Sequence, residues 1–167
     1  MEIGFSLGSN INPRKQLLMQ AKNSLLLAPS TRFVAQSPIY ETEPVGVAEE
    51  HKDKPFLNAV VVLETLFPLE AWMAYISKLE AHLGRIRTAD QNAPRPIDVD
   101  IIYADQELRD HAELTLPHPR WAQRRFVVQP LCDVRPDLLL PDSKKTVQGV
   151  LNSLPQNEKV ALFEERW

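Results

Sequence analysis

Apolar positions along the chain change period several times, and each change marks an element. "IGFSLG" at 3 to 8 reads as a first strand. Asn12 followed by Pro13 predicts a helix start with Asn as N-cap. Leu17, Leu18, Ala21, Leu25 and Ala28 then recur at helical spacing until Pro29 stops the run. A second strand is predicted over "RFVAQSPIY" at 32 to 40, with Phe33, Ala35 and Ile39 on one face. A third, "FLNAVVVLE" at 56 to 64, is almost continuously apolar, so both of its faces should be covered. A helix follows Pro68, burying Leu69, Trp72, Met73, Ile76, Leu79 and Leu83, with Gly84 as its C′ residue. "IDVDIIY" at 97 to 103 is the fourth strand, and helical spacing returns in "RRFVVQPL" and "TVQGVLNSL". The order β-α-β-β-α-β predicts an α+β protein, a ferredoxin-like antiparallel sheet with helices packed on one face. Nothing splits the chain, so a single domain over 1–167 is expected, with 155–167 as a peripheral tail.

Two aspartates break this pattern. Asp98 and Asp100 sit in a run of Ile, Val and Ile, where aspartate is disfavoured. Alternation sends both carboxylates to one face, while Ile97, Val99 and Ile101 face the helices. Two connections, 41–55 and 85–96, are also long for structureless loops and end beside the strands with odd polar residues.

Composition narrows the chemistry. Apolar residues make up 44% and charged residues 25% of 167, as in globular proteins. The net charge of -3 argues against a general nucleic-acid binder. The apolar runs are too short to span a membrane, and no secretory signal opens the chain, so a cytoplasmic protein is expected. Cys132, the single cysteine, reads as a small buried residue. Arginines nevertheless cluster: Arg85, Arg87 and Arg95 before the aspartates, and Arg120, Arg124 and Arg125 after them. Such groups suit a phosphorylated small molecule.

At neutral pH two carboxylates on one face repel each other unless a cation neutralises them. They can simply face water, or hold Mg²⁺, which uses one or two carboxylates plus substrate phosphates. The neighbouring arginines favour the second reading. With only five glycines there is no phosphate-cradling glycine loop. Asn58, alone in "FLNAVVV", either bonds a neighbouring loop or reads the edge of a heterocycle. Glu80, on the border of its helix's apolar face, reads as a solvated partner for Lys or Arg. His118, held between two prolines, is a candidate ligand contact. The four histidines lack metal-ligand spacing, so zinc is not expected.

"SLGSN" at 6 to 10, "SPIYETEPVG" at 37 to 46, "FLNAVV" at 56 to 61, "LEAHLGRIR" at 79 to 87, "APRPIDVDII" at 93 to 102 and "LTLPHPRWAQRRFVVQPL" at 114 to 131 together resemble the 6-hydroxymethyl-7,8-dihydropterin pyrophosphokinases of folate biosynthesis. The resemblance implies transfer of pyrophosphate from ATP to the pterin hydroxymethyl group, releasing AMP, with two Mg²⁺ ions. It makes Asp98 and Asp100 metal ligands and catalytic, with Arg85 and Arg95 assisting the phosphates. It assigns Thr42, Val45, Phe56, Asn58 and Phe126 to the pterin, and Glu80, Arg87, Ile101, Thr115, His118 and Arg124 to ATP. Asn92, Pro96, Ser77 and Glu113 depart from the family pattern near the closing loop and the nucleotide. The expected partners are the two small-molecule substrates, with no nucleic acid and no membrane, and the expected state is a monomer. Another two-metal nucleotidyl or cyclase-type enzyme and a non-catalytic pterin-binding module are the rival readings.

Overall fold

The computed structural model describes residues 1–44, 53–86, 93–111 and 113–167. Its elements are β1 (Glu2–Ser9), α1 (Arg14–Leu26), β2 (Thr31–Gln36), β3 (Ile39–Thr42), β4 (Phe56–Thr65), α2 (Leu69–His82), β5 (Asp98–Ala104), β6 (Arg109–His111), β7 (Leu114–Leu116), α3 (Arg125–Val134), α4 (Val147–Ser153) and β8 (Val160–Glu164). One antiparallel sheet runs β5-β1-β4-β3-β8, with β2 also paired to β4, and β6–β7 form a separate hairpin.

The α+β architecture is as expected, and α1 and α2 lie together on one face. Alternating residues of the central strands, Ile3, Phe5, Leu7, Ala59, Val61 and Leu63, pack there against Leu18, Ala21, Leu25, Trp72 and Ile76. The intervening residues Val60 and Val62 meet Val127, Leu131 and Val150 of α3 and α4, so the last two helices cover part of the opposite face. A bulge in β5 opposite Gly4 and Phe5 lets Ile102 and Tyr103 both join this second core. β4 is thus buried on both sides, as its continuous apolar sequence demands.

Local expectations fare unevenly. Gly84 does adopt the left-handed conformation at the end of α2, at φ 90°. Pro13, not Asn12, occupies the N-cap position of α1, and its carbonyl accepts Leu17 N at 3.1 Å. The expected strand 32–40 is two strands, because Ser37 and Pro38 interrupt it. Ser37 bridges the gap: its N donates to Val60 O and its Oγ accepts Val60 N, both at 2.9 Å. A bulge after Phe33 also breaks the shared face, leaving Phe33 exposed while Ile39 is fully buried. Residues at the C-terminal end form the edge strand β8, beyond which Trp167 Nε1 donates to Ser37 O at 2.7 Å. Cys132 is buried, as expected.

Candidate active site

The sheet register builds the site. Gly8 of β1 lies between Asp98 of β5 and Asn58 of β4, and Asn58 is opposite Tyr40 of β3. One rung on, Ser6 lies between Asp100 and Val60. Residues directly opposite on neighbouring strands share a face, so both aspartates and Asn58 look into the same space. A Cβ on Gly8 would stand 3.5 Å from Asn58 Oδ1 and 3.9 Å from Asp98 Cβ. The missing side chain therefore leaves the floor between them open. Above it is a pocket of about 660 Å³, counting its open mouth.

Thr42, Phe56, Asn58, Arg95, Asp98, Asp100, Arg124 and Phe126 are brought together in the lining of this pocket. Ser6, Gly8 and Glu43 also line it and were not singled out from the sequence. Only their register and loop position reveal them, although Ser6 and Gly8 stand within the "SLGSN" segment. Asn58 is buried, and its Nδ2 donates to Thr42 Oγ1 at 2.8 Å. The guanidinium of Arg95 stands 5.4 Å from the Phe56 ring centroid, and that of Arg124 stands 5.6 Å from Phe126. Flat aromatic faces and fixed positive charge therefore border one cavity.

The two aspartates are electrostatically unequal. Arg85 Nη1 meets Asp98 Oδ1 at 2.5 Å and Arg95 Nη2 meets Oδ2 at 2.7 Å, so each oxygen has its own guanidinium. Burial alone would raise the pKa of Asp98, but Arg95 and Arg85 outweigh it and hold the carboxyl below its ordinary value. Asp100 is pushed up to about 6, by burial first and then by the charge of Asp98. Its side chain is 41% exposed, with His118 Nε2 3.9 Å from Oδ2. An added cation would relieve the repulsion. Among the described residues no group of three or more His, Cys, Asp or Glu could cage a metal. Two carboxylates in the wall of this open pocket fit a hard cation that completes its shell with water and phosphate oxygens, not a closed zinc centre.

Behind Asp98 stands Glu80, which is not solvated as its helix position implies but only 3% exposed. Its Oε1 accepts Val99 N at 2.9 Å and Arg85 Nη1 at 2.5 Å, tying α2 to β5 and Arg85 to both. Burial would lower the pKa of Arg85, but Asp98 and Glu80 raise it, so it stays charged. His118 N donates to Ile102 O at 2.8 Å, and Nδ1 accepts Arg120 N at 3.1 Å. The remaining proton of the neutral ring is then on Nε2, the atom facing Asp100. Burial, then Arg124 and Arg120, push its pKa down to about 4, so the imidazole is neutral at neutral pH.

Other expected residues lie elsewhere. Ile101 is buried in the core against α1 and α2, because alternation turns it away from Asp100; its side chain cannot line the pocket. Thr115 sits in the β6–β7 hairpin and donates to His111 O at 3.3 Å. Arg125 turns away from the cluster to Pro155 O, at 3.4 Å. Val45, Arg87 and Asn92 lie outside the described residues, as do 45–52 of the first long connection and 87–92 of the second. The first of those connections starts later than expected, since Glu41 and Thr42 belong to β3.

The chain is also similar to known proteins. The sequence model of the 7,8-dihydro-6-hydroxymethylpterin-pyrophosphokinase family matches residues 4–136. The chain is 36% identical over 140 residues to the 2-amino-4-hydroxy-6-hydroxymethyldihydropteridine pyrophosphokinase of Pseudomonas aeruginosa, covering 83% of each. It is 39% identical over 134 residues to the protein of that name from Porphyromonas gingivalis, covering 78% of this chain and 88% of the relative. Among solved structures, a Plasmodium falciparum HPPK-DHPS triple mutant with pteroate superposes with a TM-score of 0.65 at 15% identity, over 91% of this chain. This chain spans 43% of that longer one, and the likeness shows the fold alone.

Proposed function

The chain belongs to the 7,8-dihydro-6-hydroxymethylpterin-pyrophosphokinase family and transfers pyrophosphate from ATP to hydroxymethyldihydropterin in folate biosynthesis, and we propose that the pocket around Asp98 and Asn58 is where it does so. One observation carries the assignment. The row Asp98–Gly8–Asn58 sets a charged end and a heterocycle-reading end two strands apart, about 10 Å, across an open floor. A bicyclic pterin with its hydroxymethyl arm spans that distance.

Asn58, steadied by Thr42, reads the ring edge, and Phe56 and Phe126 cover the ring faces. The hydroxymethyl oxygen attacks the β-phosphorus of ATP. As that bond forms, the bond from the β-phosphorus to the bridging oxygen of the α-phosphate breaks, and AMP leaves with that oxygen. The hydroxyl proton passes to water or to Asp100. When bound, two Mg²⁺ ions held by Asp98 and Asp100 with the triphosphate supply charge neutralisation and orientation of the reacting oxygens. Arg95, Arg85 and Arg124 bring positive charge to the phosphates, and the neutral His118 offers Nε2–H at the rim beside Asp100. Arg87 and Val45 keep their ATP and pterin assignments by resemblance. Glu80 acts through Arg85, and Ile101 and Thr115 border the nucleotide only through their segments. A monomeric cytoplasmic enzyme acting as one unit is the state we propose. No helix among the described residues is long and apolar enough to cross a membrane.

The test is AMP release from ATP with Mg²⁺ and 6-hydroxymethyl-7,8-dihydropterin, each omitted in turn. Release that needs all three components is expected. ATP consumption indifferent to the pterin would overturn the reading.

A further inference from the structure

Arg95 sits in the segment Pro94–Arg95–Pro96, and proline has no backbone N–H. Between Ala93 and Ile97 the main chain therefore has one donor, that of Arg95. This segment precedes β5, outside the regular ladder that joins β5 to β1, whose described pairs end at Gly8 and Asp98. Yet the Arg95 guanidinium must be held closely, since it binds Asp98 Oδ2 at 2.7 Å and stands over the Phe56 ring.

Asn10, two residues beyond Gly8, supplies what the ladder lacks. Its Oδ1 accepts Arg95 N at 2.8 Å, and its own N donates to Arg95 O at 3.3 Å. One residue thus meets both main-chain polar groups of Arg95, with a side chain standing in for the next rung of the sheet. Asn10 is 6% exposed, and its Nδ2 is buried with no hydrogen-bond partner among the described residues. A buried amide with half its capacity unused is costly to keep, so packing alone does not account for it. An apolar residue would leave the lone Arg95 N–H unpaired.

We infer that Asn10 is a positioning residue for the transfer reaction, fixing the backbone of Arg95 so that its guanidinium reaches Asp98 and the phosphates in a single pose. This rests on the proposed role of Arg95. The Asn58–Thr42 pair that reads the pterin edge is independent of it, and Arg95 meets the pterin end only where it stands over the Phe56 ring. A loosened Arg95 lowers kcat, because misplacement of a charged group by about 1 Å can cost about 100-fold in rate.

The experiment is a double-mutant cycle of Asn10→Ala and Arg95→Ala, with kcat and pterin KM measured on folded protein quantified by circular dichroism. Asn10→Ala should lower kcat about 10- to 100-fold while KM for the pterin moves less than about threefold. In the Arg95→Ala background the same substitution should do almost nothing further. Asn10→Asp, which keeps an acceptor at the same place, should recover part of the loss. A merely structural Asn10 would reduce the folded fraction but leave kcat per folded molecule unchanged, and that result overturns the inference. So does an equal loss in both backgrounds. If Arg95→Ala itself turns over normally, the proposed role of Arg95 fails instead.

Discussion

Replacing Glu80 separates its structural part from its catalytic one. The carboxylate is 3% exposed and accepts hydrogen bonds from Val99 N at 2.9 Å and from Arg85 Nη1 at 2.5 Å. Glu80→Gln keeps an oxygen for Val99 but removes the charge facing Arg85. Hydrogen bonds to charged groups contribute about 1.5–3 kcal/mol and neutral ones about 1, so the loss should be near 1 kcal/mol. Glu80→Leu leaves Val99 N without its acceptor and takes one of the two carboxylates that face the buried Arg85 guanidinium, for which about 3–5 kcal/mol is expected. At roughly 2–4 °C per kcal/mol for a chain of this size, Tm should fall by about 2–4 °C and about 6–20 °C respectively. Arg85 keeps Asp98 in both variants, so turnover should persist, slowed by the looser guanidinium. Adding Arg85→Met to Glu80→Leu takes one guanidinium from the buried Asp98 and should depress turnover further. Thermal unfolding of the ligand-free proteins, with turnover of each at saturating substrates, is the assay. If Glu80→Gln unfolds with the wild type, or Glu80→Leu is no worse than Glu80→Gln, the reasoning from buried charge is wrong.

Asn58→Ala should raise the KM for the pterin about 10- to 100-fold, the cost of an unread polar edge, with little effect on ATP; equal losses for both substrates would remove Asn58 from pterin recognition. Gly8→Ala meets only contacts of 3.5 Å or longer, so its Tm should stay within about 2 °C of wild type while the added methyl raises the pterin KM. Unchanged KM would place the ring elsewhere. Glu2 accepts from Tyr103 Oη at 2.7 Å and Arg135 Nη2 at 2.7 Å, and Arg135 is the main cause of its lowered pKa. A lowered folded pKa adds stability above the unfolded value of about 4.5, lost as pH falls through the folded value. Glu2→Gln should therefore cost about 1 kcal/mol at pH 7 and progressively less below pH 4.5, and a difference constant from pH 7 to 3 would contradict this.

The aspartates were legible in the sequence because an apolar strand states its own rule and Asp98 and Asp100 break it. Asn58 was legible for the same reason. Glu80 was not: helical spacing put it at the edge of an apolar face, where a carboxylate usually meets water. Its burial follows from the arrival of β5 and Arg85, which no local pattern records. The split between β2 and β3 was signalled by Ser37–Pro38, but the pairing of both pieces to β4 depends on the Ser37 side chain completing a rung. Helical spacing correctly marked α3 and α4, yet periodicity does not say which face of a sheet a helix will cover. Strand β8 was missed because "VALFE" is short and half exposed, so its alternation is weak, and its place beside β3 is a tertiary fact. Gly8 needed the register as well, since its role is the space its absent side chain leaves between Asp98 and Asn58.

The central claim is that the face carrying Asp98 and Asp100 drives the transfer while the Asn58 end holds the pterin. Asp100→Ala tests it most directly, because Asp100 is partly exposed and lies outside the paired Glu80–Arg85–Asp98–Arg95 chain, so its loss should not unfold the protein. The decisive measurement is Mg²⁺-dependent AMP formation by this variant beside its pterin dissociation constant. The account predicts turnover reduced by about 100-fold or more with pterin affinity within a few-fold of wild type. Near-normal turnover, or pterin binding lost together with it, would contradict the division of labour across the sheet.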